Sequence, residues 1–322
     1  MRQVRIPFEI PPPGRPFDVV GLGLNSVDLI GVVAEYPVSN TKQQLQRFAR
    51  LPGGQIATAL VTCARLGWRT RYIGSFGADE LGAISRDSLS LEGVDISAAH
   101  TVTGTTNQFA VILVDARTGE RTVLWDRHPG LKMEAKDVPK DAVTSGRILI
   151  VDCHETVAAT EAARLARLAG IPTVIDVEKV RPAIGELLRQ IDAIIAAQEF
   201  PSALTGHEDL GRALEAMAQE FAAPLVCVTL GPEGSLALCR GQEIRTPGYS
   251  VDCVDSTGAG DVFRGAFAAA CLQAPDGEVQ EALSYANAVA ALSCRALGAQ
   301  GGIPRAEEIE QLRLVRPQSR PM

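Results

Sequence analysis

No stretch of the 322-residue chain runs to about 18 consecutive apolar residues free of charge or proline, so a membrane-spanning helix is excluded. The amino-terminal segment from Met1 to Pro16 lacks the uninterrupted apolar run of a signal peptide and carries Pro11, Pro12 and Pro13 in a row. It reads as a flexible arm over residues 1–16 of a cytoplasmic protein. No Lys/Arg run offsets the net charge of −7, so the chain has no general attraction for nucleic acid or anionic membrane. The seven cysteines are odd in number, scattered and never spaced C-x-x-C, which excludes a disulfide framework and fits unpaired thiols in a reducing compartment. His100, His128, His154 and His207 stand too far apart in sequence for a metal-hydrolase ligand cluster. A G-x-x-x-x-G-K-[ST] loop is missing, which leaves a P-loop kinase unsupported. The Gly21-x-Gly23 pair has Ser26 where a dinucleotide fingerprint needs its third glycine.

What is present is an ordinary globular composition, 46% hydrophobic and 21% charged. From Phe17, short Val/Ile/Leu runs alternate with longer Ala/Leu/Arg segments, the rhythm of strands followed by crossover helices. Strands are expected at 19–24, 71–74, 148–152, 173–176, 193–195 and 226–229, and helices at 57–66, 81–92, 156–169 and 210–221. This predicts an α/β fold with a largely parallel sheet covered on both faces. The stretches 28–51 and 107–127 lack helical periodicity and read as antiparallel strands, the second turning through Gly119. They predict a small β lid built from two pieces inserted into the body. The main domain is expected over 17–310, with a tail over 311–322.

The most informative segment is Asp255-Ser256-Thr257-Gly258-Ala259-Gly260-Asp261, followed by the apolar, Ala-rich run to Leu272. A Gly-Ala-Gly turn opening such a helix leaves backbone N–H groups unpaired at the positive end of the helix dipole, which makes an anion site. Asp261 stands in that first turn. Phosphoryl transfer needs a proton acceptor, donors around the migrating group and a cation bridging the nucleotide phosphates. This segment supplies the first two. Taken alone, a Gly-x-Gly-Asp reads as a helix cap; the rest of the sequence pattern carries the stronger reading.

The segment Asp255–Asp261 resembles the carboxy-terminal signature D-[ST]-x-G-A-G-D of the ribokinase/PfkB family of carbohydrate kinases. Upstream, Gly53-Gly54-Gln55-Ile56-Ala57-Thr58-Ala59-Leu60, Leu66-Gly67, Ile73-Gly74 and Gly77-Ala78-Asp79-Glu80-Leu81-Gly82 resemble its amino-terminal signature. The similarity runs from about Phe17 to Ile309. It implies a ribokinase-like, three-layer Rossmann-type body with a β lid that doubles as a homodimer surface. It also implies ATP and Mg²⁺ as cofactors and a small sugar as substrate. Asp261 is then the catalytic base, and Gly258, Ala259 and Gly260 form the anion hole. Asp255 matches a monovalent-cation position of potassium-activated members, although Gly302 stands where those loops offer a hydroxyl.

The same resemblance places Thr229, Gly231 and Gly234 of the Thr229–Gly234 loop against the nucleotide phosphates, and Asn287 at the adenine. Asn25, Asp28, Gly53, Gly54, Gln55, Thr58 and Arg121 fall where the family binds sugar, with Gln55 in place of a common Asn. The N-x-x-E motif that orders the Mg²⁺ shell is absent, leaving Glu199 as a ligand through water. Val177-Glu178-Lys179 and Arg121-Thr122-Val123-Leu124 are similar to ketohexokinases, while Asp261-Val262-Phe263 and Gly301-Gly302-Ile303-Pro304 are similar to sulfofructose kinases. Arg121, Arg127, His128 and Lys132 are candidates for an anionic substrate group. A nucleoside kinase is the rival reading, but the lid region offers only Tyr36, Phe48, Phe109 and Trp125 to stack a base. A non-catalytic sugar-binding protein of the same fold is the further alternative, and the intact Gly258–Asp261 run argues against it.

Overall fold

A computed structural model describes residues 3–118 and 120–314. Fourteen strands are found among them: β1 (Val19–Leu22), β2 (Ser26–Val33), β3 (Arg47–Gly53), β4 (Thr70–Ile73), β5 (Ser75–Gly77), β6 (His100–Val102), β7 (Phe109–Asp115), β8 (Arg121–Asp126), β9 (Ile148–Asp152), β10 (Thr173–Val177), β11 (Ala193–Ala196), β12 (Leu225–Thr229), β13 (Ser235–Cys239) and β14 (Gln242–Thr246). Eight of them form the main sheet in the order β14-β13-β12-β11-β10-β9-β1-β4. Six run parallel, and the β13–β14 hairpin closes one edge antiparallel.

The central strands are short apolar runs because both of their faces are covered. Alternation assigns each side chain to a layer. Ile148, Ile150, Val174, Ile195 and Cys227 face the helices Gln55–Arg65, Ala259–Gln273 and Val279–Ser293. Leu149, Val151, Ile175, Ile194 and Val228 face the helices Thr156–Leu168, Ile184–Leu188 and Leu210–Phe221. The result is the three-layer body expected from the strand–helix rhythm. The Ala-rich composition of the first set of helices lets them pack closely, as between Ala259–Gln273 and Gln55–Arg65, where a methyl at Gly265 would come within 2.4 Å of the Ala59 carbonyl.

A second sheet, ordered β3-β2-β7-β8, is assembled from the two stretches that broke the helical rhythm. Its outer pairs are antiparallel, but β2 and β7 run parallel, because the two insertions enter from the body in the same direction. Gly119, expected at the β7–β8 turn, lies outside the described residues. Ile30, Ala110, Ile112 and Val114 on the inward face form a satellite core with Leu297. On the outward face Phe48 and Leu124 are 58% and 60% exposed.

The expectation of a flexible arm over residues 1–16 is corrected from Gln3 onward. Ile6 N–H donates to the Gly277 carbonyl, Val279 N–H donates to Val4, and Arg147 and Arg240 donate to the Pro11 and Pro7 carbonyls. Ile6 is buried in the main core. The prolines hold the segment extended, and distant groups, invisible in local composition, satisfy its backbone. Of the tail expected over 311–322, residues up to 314 complete the helix Ala306–Leu314, and the rest lie outside the described residues. No helix among the described residues is long and apolar enough to cross a membrane. Ile6→Ala is expected to lower the unfolding free energy by about 2 kcal/mol in urea titrations. A loss below about 0.5 kcal/mol, the range of surface substitutions, would contradict the docked arrangement.

Candidate active site

The site lies at the carboxyl ends of the parallel strands, where the chain leaves β1 on one side and β9 on the other and the sheet opens a crevice. Gly258 opens the helix Ala259–Gln273 with φ +75°, and a methyl there would strike Ala299 at 2.6 Å, so the turn requires glycine. The Ala259 N–H reaches Ser256 at 3.3 Å, whereas those of Gly258 and Gly260 make no hydrogen bond among the described residues. Two free donors at a helix amino terminus form an anion-binding corner. Asp255 ties the loop down: its carboxylate accepts from Thr257 N–H (2.9 Å), Thr257 Oγ1 (2.7 Å) and Gly298 N–H (2.8 Å). Both of its oxygens receive donors from the chain, so this carboxylate, expected at a monovalent-cation position, holds the loop to Gly298.

Two cavities adjoin at this corner. One, of about 420 Å³, is mostly apolar and takes in Gly231, Gly234, Tyr249, Phe263, Asn287 and Ala290. Thr229, Gly231, Gly234 and Asn287, the residues expected at the nucleotide, thus line one cavity together. Asn287 spends its amide hydrogens on Ser235 Oγ and the Thr246 and Pro247 carbonyls, which fixes the wall between β13, β14 and the helix Val279–Ser293. The second cavity, of about 460 Å³, lies under the inward face of the second sheet. Asp28, Gln55, Arg121, Lys179 and Asp261 line it, with Gly54 and Gly258 in its wall. Thr229, Ser256 and Gly260 line both cavities, so a group held at the helix terminus is reachable from either side.

Charges in the second cavity are strongly perturbed. Burial, then the neighbouring Asp176 carboxyl, pushes Asp261 well above the usual carboxylate range, against the pull of Arg264. Burial raises Asp28 to about 6, with the Ser26 hydroxyl donating to it at 3.2 Å and the Asp255 charge adding to the rise. Burial also raises Asp152 to about 6, although it accepts from the N–H groups of Leu24 and His154. His154 is held low, at about 4, by burial and by Arg181. Arg121 crosses from β8 to donate to Ser256 Oγ at 2.7 Å, joining the second sheet to the loop that opens the helix Ala259–Gln273.

Several expected residues stand elsewhere. Asn25 is a buried hub: its amide donates to Tyr72 and Ser75, and its oxygen accepts from Ser85 and Asn107. Thr58 is fully buried beside Gln300, and Gly53 backs the Asp28 carboxylate; none of the three lines the cavity. Glu199 is exposed at the start of the helix Phe200–Thr205 and borders neither cavity. Arg127 is paired with Glu155, His128 caps Pro129–Leu131, and Lys132 pairs with Glu134, so these three are spent on local structure. Conversely, Asp152, Asp176 and Arg264 had no assigned role in the sequence reading. Their signal was a carboxylate ending an apolar strand and an arginine inside an otherwise apolar helix.

A family model, pfkB family carbohydrate kinase, matches residues 17–306. Ribokinase from Haemophilus influenzae is 28% identical over 80% of this chain and 85% of its own length, and fructokinase from Escherichia coli is 28% identical over 82% and 92%. The structure of Arabidopsis thaliana ribokinase complexed with ribose and ATP superposes with a TM-score of 0.79 at 24% identity, covering 92% of this chain and 98% of that one, and so shares the fold. The match over nearly the whole described chain, joined to the helix-terminal Gly-Ala-Gly-Asp geometry, means that this protein belongs to the pfkB family of carbohydrate kinases.

Proposed function

We propose that the chain transfers the γ-phosphoryl group of ATP to a hydroxyl of a small sugar, with Asp261 as the proton acceptor. The observation that carries this reading is the junction of the two cavities at the amino terminus of the helix Ala259–Gln273. The apolar cavity suits a nucleotide base and ribose, and the polar one suits a polyol. In the relative from Arabidopsis thaliana, ribose and ATP are bound together. The sugar hydroxyl lies near Asp261, which takes its proton as the oxygen attacks the γ-phosphorus in line and ADP departs. The N–H groups of Gly258 and Gly260 receive the charge on the transferring oxygens.

The described residues hold no cluster of three or more His, Cys, Asp or Glu able to cage a metal. Mg²⁺ fits as an ion carried on the nucleotide phosphates and keeping its waters, where it offsets their charge. Asp28 and Gln55 orient the sugar; the Gln55 oxygen is buried without a partner among the described residues, and a sugar hydroxyl would satisfy it. Arg121 stands between the sugar and the phosphates. The exposed Phe48 and Leu124 on the second sheet suit pairing with a second copy of the chain, and the unpaired cysteines suit a reducing cytoplasm.

With MgATP and a panel of ribose, fructose, sulfofructose, 2-keto-3-deoxygluconate, fructose 6-phosphate and adenosine, ADP formation should depend on a sugar. Asp261→Asn should lower kcat by about 10²-fold or more while ATP affinity stays within about twofold. Near-normal turnover in that variant would remove Asp261 from its role. A signal with adenosine alone would make the chain a nucleoside kinase, and silence throughout would make it a binding protein.

Asp28→Asn should raise the sugar KM about tenfold or more and leave the ATP KM unchanged. Because the folded chain holds the Asp28 proton up to about pH 6, the parent loses stability as pH rises from about 4 to 6. The variant escapes that loss. It should therefore be more stable than the parent by about 3 kcal/mol at pH 7 and close to it near pH 4, as measured by denaturant titration. A variant that is no more stable at pH 7 would mean that the buried carboxylate carries no strain.

A further inference from the structure

The first two turns of the helix Ala259–Gln273 are small or apolar apart from Asp261 and Arg264, and Arg264 is buried to 4% exposure one turn beyond the candidate base. Its Nη2 lies 2.9 Å from Asp176 Oδ1 and donates to the Ile195 carbonyl at 3.3 Å. Its Nη1 presses on Gly260, where a methyl would come within 2.3 Å, so the guanidinium fills the space behind the anion-binding corner. Asp176, near the end of β10, is 2% exposed, and among the described residues neither of its oxygens has an aligned donor and Arg264 Nε has no partner. A buried, incompletely bonded ion pair contributes less stability than apolar residues of similar size, so packing does not account for it.

We propose that Asp176 and Arg264 are positioning residues for phosphoryl transfer: Arg264 supplies the fixed positive charge that lets Asp261 exist as a carboxylate, and Asp176 holds the guanidinium in place. The inference rests on the role of Asp261 proposed above. As the acceptor oxygen bonds to the γ-phosphorus and the bond to the bridging ADP oxygen breaks, the hydroxyl proton passes to Asp261. Asp176 lines the same cavity as Asp261, and its charge strengthens the hold of Asp261 on that proton. The same guanidinium stands behind Gly260 as negative charge gathers on the transferring oxygens.

The groups facing the pair are accounted for. Glu178, and Asp152 toward Asp176, act in the same sense as Asp176 on the proton affinity of the dyad, and Arg264 opposes them. Lys179 and Arg121 line the same cavity, His154 is neutral there near pH 7, and Asp28 lies across it. Removing Arg264's charge therefore makes Asp261 hold its proton more tightly, and removing Asp176's charge does the reverse.

The test titrates Asp261 directly, by carboxyl carbon-13 NMR on the full chain labelled at aspartate, with Asp261→Asn assigning the signal. Alongside, kcat/KM for the sugar is followed against pH. In Arg264→Met the Asp261 titration and the acid limb should both move up by about one unit or more; in Asp176→Asn both should move down. Arg264→Lys should return the limb toward that of the parent. The double variant Asp176→Asn, Arg264→Met removes both members of the pair together, keeps the fold testable, and should titrate between the two single variants. Titrations and limbs that coincide in all folded variants would overturn the proposal and leave the pair a packing feature. If the order holds in the NMR titration but the parent forms no ADP with any sugar, the kinase reading fails and the electrostatic pairing stands.

Discussion

The structure turns on the burial of carboxylates at one edge of a parallel sheet. Asp28, Asp176 and Asp261 line a single crevice, Asp152 lies buried behind its Leu24 and His154 wall, and burial raises the proton affinity of each. Folding does not favour such a cluster, since each charged form is separated from water. The chain offsets the cost locally. Backbone N–H groups serve Asp152, a hydroxyl serves Asp28, and a buried guanidinium stands against Asp176. The body is correspondingly rigid, with apolar layers on both sheet faces holding these groups at fixed separations.

The second sheet gives that edge a roof. Its inward face brings Asp28 and Arg121 over the Ser256–Asp261 loop, and the Arg121–Ser256 hydrogen bond joins roof to floor where the two cavities meet. Reaction with a sugar rather than with water requires that this space be closed to solvent during transfer.

Much of this was legible in the sequence, for identifiable reasons. The strands at 148–152 and 173–177 and the helix at 210–221 are marked by apolar runs and by 3.6-residue periodicity, both local signals. The Gly258–Asp261 corner is also local, since the turn, the helix start and the acid lie within four residues. What escaped was non-local. Asn25 occupies a position suited to substrate, yet its four partners come from segments far along the chain, and only the folded arrangement makes it a hub. Ile6 sits among prolines, and its burial depends on the Gly277–Val279 segment. Arg264 and Asp176 each look anomalous alone, a charge in an apolar helix and a charge at a strand end; their meaning comes from facing each other across the layer.

The central claim is that the phosphoryl group moves to a sugar hydroxyl rather than to water. Phosphorus-31 NMR of a reaction with MgATP and the preferred sugar tests it most directly. The account predicts a new phosphomonoester resonance growing in step with ADP, with no comparable release of inorganic phosphate. Inorganic phosphate appearing at the same rate with or without sugar would contradict it.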